Sequence, residues 1–125
     1  MKKAIFLLSY LLFITVANAQ TIKASQFDYY KKNNYSGNWE YKTSDVLNAT
    51  IVINEASKVI TRTDHTQTER YTIVEKERNA FNETFYFCKK RDGTYILIGF
   101  SPNERQIAMS DNVVMFVYRN ITISY

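Results

Sequence analysis

A chain with a single cysteine, Cys88, forms no internal disulfide, so packing must hold it together. Its one histidine, His65, sits beside Asp64 in a polar stretch. It offers no imidazole cluster for a metal, and nothing in the sequence brings it to Cys88 as a nucleophile's base. Three glycines and one proline leave no Gly-rich phosphate loop and no Gly/Ser linker. H-E-x-x-H, C-x-x-C and G-x-S-x-G are absent as well. Glu75 and Glu77 share a strand face, as an acid–base pair would, but Lys76 and Arg78 flank them and the stretch reads as a solvent-facing, charge-mixed strand end. These absences speak against an enzyme, a bound cofactor and a metal.

The longest apolar run is Ala4 to Val16, and its 13 residues fall short of the ~20 that span a bilayer. Lys2 and Lys3 precede it and Ala17-Asn18-Ala19 follows, the order of a cleaved signal peptide over residues 1–19. No cysteine follows the cleavage site, so the expected product is exported without a lipid anchor. The short Lys-Lys-led form resembles bacterial signals, which places the protein in the periplasm or outside the cell, with no membrane span after cleavage. Residues 20–125 then form a single β domain of 106 residues. The net charge of +4 falls to +2 without the leader's two lysines, too little to suggest nucleic acid as a partner. Four N-x-S/T triplets read as a by-product of an Asn- and Thr-rich chain.

What is abundant is aromatic and β-branched. Ser25, Asp28 and the Phe27/Tyr30 spacing predict a short helix over 25–33, stopped by Asn33-Asn34. From Trp39 onward the period is two. A first strand entered at Trp39 is followed by apolar alternation at 49–53, 58–63, 70–76, 85–89, 95–100, 106–110 and 113–125, the spacing of an all-β antiparallel meander of about eight strands, or nine where the last stretch breaks at Asn120. Asp92-Gly93, taken as a two-residue turn, pairs Phe85 with Phe100 and Phe87 with Ile98 on one face. Asp111-Asn112, taken likewise, pairs Ile107 with Phe116 and Met109 with Val114. Eight strands must hide their edges, either by closing into a small barrel or as a strongly curled sheet.

The stretch Tyr35-Ser36-Gly37-Asn38-Trp39, before an antiparallel meander, resembles the start of the lipocalin and fatty-acid-binding (calycin) barrels, whose first strand opens with G-x-W. The resemblance implies that Gly37 allows close backbone approach and that Trp39 closes one end of the barrel. It also implies that Arg119, late in the chain, packs over that tryptophan. The seven residues between Tyr41 and Ala49 leave no room for the helix pair that lids fatty-acid-binding barrels.

Two functional expectations follow. One is a barrel that binds a small apolar ligand, its interior lined by Phe85, Phe87, Ile98, Phe100 and Phe116. The other is a protein-interaction module, an inhibitor or envelope accessory factor with a solid core, that meets another envelope or extracellular protein through exposed Tyr29, Tyr30, Tyr35, Tyr86 and Tyr95.

Overall fold

The computed structural model describes residues 19–124, so the leader expected over 1–19 lies, but for Ala19, outside the described residues. Nine strands follow one another: β1 (Gln20–Lys32), β2 (Trp39–Asn54), β3 (Val59–Thr63), β4 (Thr68–Arg78), β5 (Thr84–Lys89), β6 (Tyr95–Ser101), β7 (Gln106–Ser110), β8 (Val114–Arg119) and β9 (Thr122–Ser124). Each of β1 to β7 pairs antiparallel with the next, and β1 also pairs with β8, which closes an eight-stranded barrel. The first half of β1 lies between β2 and β9, and its second half between β2 and β8. Asn120, at φ 54°, breaks the chain between β8 and β9. The β1–β2, β3–β4, β5–β6 and β7–β8 loops share one end of the barrel, here called the upper end.

The interior is an isoleucine core. Ile22, Ile51, Ile53, Ile60, Ile98, Ile107 and Ile121, with Met109, are each exposed by 1% or less. Branching at Cβ suits a pleated wall, and each such side chain contributes about 1.5–3 kcal/mol by leaving water. Tyr86 and Tyr118 fill the lower and upper thirds, with Cys88 between neighbours on β5 and β6.

The expected helix over 25–33 is not there: residues 25–32 are the second half of β1, and Asn33 begins the loop after it. A two-turn helix with one weak cap is marginal, whereas a strand at this place satisfies backbone groups on both edges. Phe27 and Tyr29, two apart, both pack on Phe116, with ring centroids 5.3 and 5.5 Å away. The strands expected around Trp39 and at 49–53 are one strand, β2, kinked by register shifts opposite Ser25 and at Lys42. The barrel therefore counts eight because one supposed helix is a strand and two supposed strands are one.

The G-x-W stretch forms the β1–β2 hairpin instead of a helix-to-strand entry. Asn33 accepts the amides of Tyr35 (2.8 Å) and Ser36 (3.0 Å) on Oδ1 and that of Gly37 (2.9 Å) on its carbonyl. Gly37 takes φ +73°, with nothing within 4 Å of where a Cβ would stand. Its role is the left-handed turn and not a close approach. Trp39 shares the outer face of the ribbon with Tyr41 and Lys32, and the cation over its ring is Lys32, 5.6 Å from the centroid. Arg119 lies elsewhere, with its Nε donating to Asp28 Oδ2 at 2.5 Å and Nη1 to Gln106 at 3.0 Å.

The β5–β6 turn corrects a second expectation. Lys90 and Thr94 close it (2.8 Å), leaving three residues, Arg91-Asp92-Gly93, with Gly93 at φ +91°. The axis of the hairpin moves by half a residue, so Phe85 faces Gly99 and Phe87 faces Leu97. Such a slip exchanges the faces of β5 against β6, so Ile96, Ile98 and Phe100 stay inward while β5 is turned over. Phe85 and Phe87 point outward, and Tyr86 and Cys88 point in. The β7–β8 turn also shifts, to Asn112-Val113, but by a whole residue, so Ile107, Met109 and Phe116 keep their common face.

Gly37→Ala should cost about 1 kcal/mol through its left-handed backbone, read as a lower urea midpoint at unchanged slope. The Cys88 thiol is fully buried and pushed up to about 12 by that burial. A thiol reagent at pH 8 should label it only as fast as the barrel unfolds, and rapid labelling of the native protein would contradict the placement.

Candidate functional site

All four upper loops close in the same way, around an Asn or Asp that accepts its own loop's amides. Asn33 does so in the β1–β2 loop, Asp64 in β3–β4, Asp92 in β5–β6 and Asp111 in β7–β8. Asp64 takes Thr66 N (2.8 Å), Thr66 Oγ1 (2.6 Å) and Gln67 N (3.0 Å) on one oxygen. Asp92 takes Thr94 N (2.9 Å) and its hydroxyl (2.6 Å), while Asp111 takes Val113 N (2.7 Å) and Val114 N (2.9 Å). The loops stay short and leave the barrel open between them.

Below them is an opening of about 290 Å³. Its walls are Tyr71, Ile96, Met109, Val114 and Phe116, with Glu69 on β4 directly across from Arg62 on β3, and Lys90, Asp92 and Asp111 complete the lining. Its floor is Arg62, which the alternation of β3 turns inward after Ile60. The Arg62 side chain is only 13% exposed, and Nη1 donates to the Tyr118 hydroxyl at 3.0 Å and lies 3.7 Å from Asp64 Oδ2. Its Nε is buried with no partner among the described residues. Burial opposes the charge, but the Tyr118 hydroxyl and nearby Asp64 hold the guanidinium's pKa above its usual value. Burial raises the Tyr118 and Tyr71 phenols in turn. The Thr66 hydroxyl and amide, with Arg62 behind them, bring Asp64 down to about 2.

The lower end is polar. The Tyr86 hydroxyl donates to Glu55 Oε1 (2.8 Å) and Lys76 pairs with Oε2 (2.9 Å), beneath Phe100. Among the described residues no group of three or more His, Cys, Asp or Glu side chains is placed to hold a metal.

The five residues expected to line one cavity are spread over four places. Phe116 lines the upper opening and Phe100 borders the lower one. Ile98 is sealed in the core between them. Phe85 lies against Gly99 on the outer wall, and Phe87, 41% exposed, stacks on Tyr95 with centroids 5.1 Å apart. Of the tyrosines expected on the surface, Tyr35 and Tyr95 are exposed, Tyr29 and Tyr30 are half-buried, and Tyr86 is buried. Arg62, Tyr71 and Tyr118 were not singled out. The available signal was parity: Arg62 shares its face with Ile60, as Tyr71 does with Ile73 and Tyr118 with Phe116.

Comparison of the chain with protein-family models, with curated proteins and with solved structures gives no match in any of the three.

Asp64 titrates below its usual 3.8 in the folded state, so it favours folding above about pH 4, and that contribution is lost as pH falls toward 2. Asp64→Asn should flatten this part of the acid limb in urea midpoints taken between about pH 5 and pH 2. An unchanged limb would show that the Thr66 and Arg62 contacts do not stabilise the carboxylate.

Proposed function

We propose that this is an exported, non-enzymatic β-barrel protein that holds one small molecule at the upper end of its barrel. The observation that carries the reading is the 290 Å³ opening, apolar on its walls and floored by a buried arginine with an unspent donor. It lies at the lower bound of pocket sizes that take small ligands, in the mouth of a barrel where such sites recur. The solid core beneath narrows the expected apolar ligand to a short one that does not thread the barrel. Covering about 100 Å² of its apolar surface would contribute about 2.5 kcal/mol, so polar contacts must supply the rest of any useful affinity. A lipocalin-like relationship belongs to the same reading. The closed meander of eight strands supports it, while Gly37-Asn38-Trp39 opens the second strand and Arg119 is engaged with Asp28, unlike the pattern in that family.

One observation favours an interaction module instead. Phe87, Tyr95 and Leu97, each 41–50% exposed, form an outward aromatic patch beside half-buried Phe85, where a soluble surface would carry polar groups.

Methyl-resolved NMR separates the two. Titration with short aromatic and branched aliphatic carboxylates should shift Ile96, Met109 and Val114, and Val114→Phe should abolish the shifts without changing the thermal midpoint. Shifts centred on Leu97, or none at any site, would sink the ligand reading.

A further inference from the structure

The lower end of the barrel owes its charge to one extra residue in β4. Ile73 faces Cys88 and Glu75 faces Phe87, so Val74 is a bulge with no partner of its own on β5. Strict alternation from inward Ile73 would carry Glu75 and Glu77 inside. The bulge turns them out beside Phe85 and Phe87, and it sets Lys76 across from buried Tyr86 and Arg78 across from Thr84. Two cations thereby stand where two carboxylates would have been. Both line an opening of about 640 Å³, with Glu55, Asn82, Thr84 and Gln20 around them. Glu55 is fully engaged: Oε1 accepts from the Tyr86 hydroxyl at 2.8 Å and Oε2 meets Lys76 at 2.9 Å. Glu83, in the loop after β4, is held by Asn79 Nδ2 and Ser101 Oγ, each at 2.9 Å. Arg78 differs. It is exposed, its Nη2 donates to Asn82 Oδ1, and it pairs with no carboxylate among the described residues. The lining therefore holds one cation in excess.

We infer that the lower mouth is a second binding site, for a small hydrophilic monocarboxylate of the sugar-acid kind, its carboxylate on Arg78 and its hydroxyls toward Asn82, Thr84 and Gln20. The planar fork of an arginine takes a carboxylate through two parallel bonds. One unbalanced cation matches a monoanion. A phosphate dianion would exceed it and would compete with Glu55 for Lys76. A neutral sugar would leave Arg78 unanswered, and the polar lining does not suit the apolar guest of the upper opening. The two openings lie at opposite ends of a solid core, so this site stands or falls independently of the other.

Three probes sharing a pyranose ring test it: D-glucuronate, D-glucose and glucose 6-phosphate. Calorimetry gives the affinities, and the amide resonances of Ala56 and Thr84 report this mouth and not the upper one. D-glucuronate should bind about tenfold tighter than D-glucose, the effect of one charge-assisted contact, and glucose 6-phosphate should bind no tighter than D-glucuronate. The margin over D-glucose should shrink as salt is raised. Arg78→Gln should erase that margin, whereas Arg78→Lys, a point charge without the fork, should keep part of it. Glu75→Gln with Glu77→Gln should leave it unchanged, because both side chains stand outside. A gain in that double variant as large as the Arg78→Gln loss would place them in the mouth and overturn the bulge argument. Should Arg78→Gln fail to fold, as judged by circular dichroism, the three probes on the unaltered protein decide alone. Equal binding of D-glucose and D-glucuronate, tighter binding of the phosphate, or no shift at Ala56 and Thr84 with any probe would each overturn the inference, whatever the upper opening binds.

Discussion

An eight-stranded barrel has room inside for side chains or for one small guest, and here the volume is already taken. Isoleucines from seven positions, with Met109, Tyr86 and Tyr118, meet across the axis and leave no channel from end to end. In a chain without disulfides that filling is the main source of stability. Truncating one such side chain to alanine costs about 2–5 kcal/mol against a total of about 5–15. Because the middle is solid, any chemistry belongs to the two ends or to the outer wall, and the ends differ. The lower one is knit by Tyr86, Glu55 and Lys76, whereas the upper one stays open above Arg62.

Two arginines show what burial does to a charge. Arg119 lies on the outer wall, its Nε on Asp28, with Gln106 and the Tyr30 hydroxyl nearby. Asp28 is itself 5% exposed on the outer face, and although burial works against its charge, Ser44 and Arg119 hold its pKa below the usual value. That cluster is satisfied and joins β1, β2, β7 and β8 across the closure. Arg62 is more deeply placed and less completely paired. A buried donor without an acceptor is costly. The contrast is one of pairing: Arg119 is engaged on the outer wall, whereas the buried Arg62 Nε has no partner among the described residues.

How much of this was legible in the chain varied with the range of the interaction. Alternation along 58–63, 70–76 and 106–119 showed strands and their inward faces, because burial on one side writes a period of two into the sequence. The β5–β6 hairpin was harder. Asp92-Gly93 suits a two-residue turn and equally the end of a three-residue one, and the half-residue difference moved Phe85 and Phe87 outside. Residues 25–33 were misread because their helical spacing is local, while the reasons for a strand, β2 and β8, lie up to about ninety residues away. Arg62 was visible only as a charge on an apolar parity, a pattern that says nothing until Tyr118 and Asp64 are seen beside it.

That same first strand sets an order on assembly. The hairpins from β2 to β8 close through short turns, several of them bolted by their own Asn or Asp. The seam of β1 against β8 joins Asp28 to Arg119 across 91 positions. By logarithmic scaling, that closure costs about 2–3 kcal/mol more than a turn of about five residues. In a chain made from its N-terminus, β1 is the first strand to appear and the last to find its second neighbour. Until residues 114–124 arrive, the isoleucine face is a curled sheet open along one side. Truncation within this stretch would therefore release a sticky half-pipe instead of a slightly shorter barrel, and residues 114–124 hold shut everything made before them.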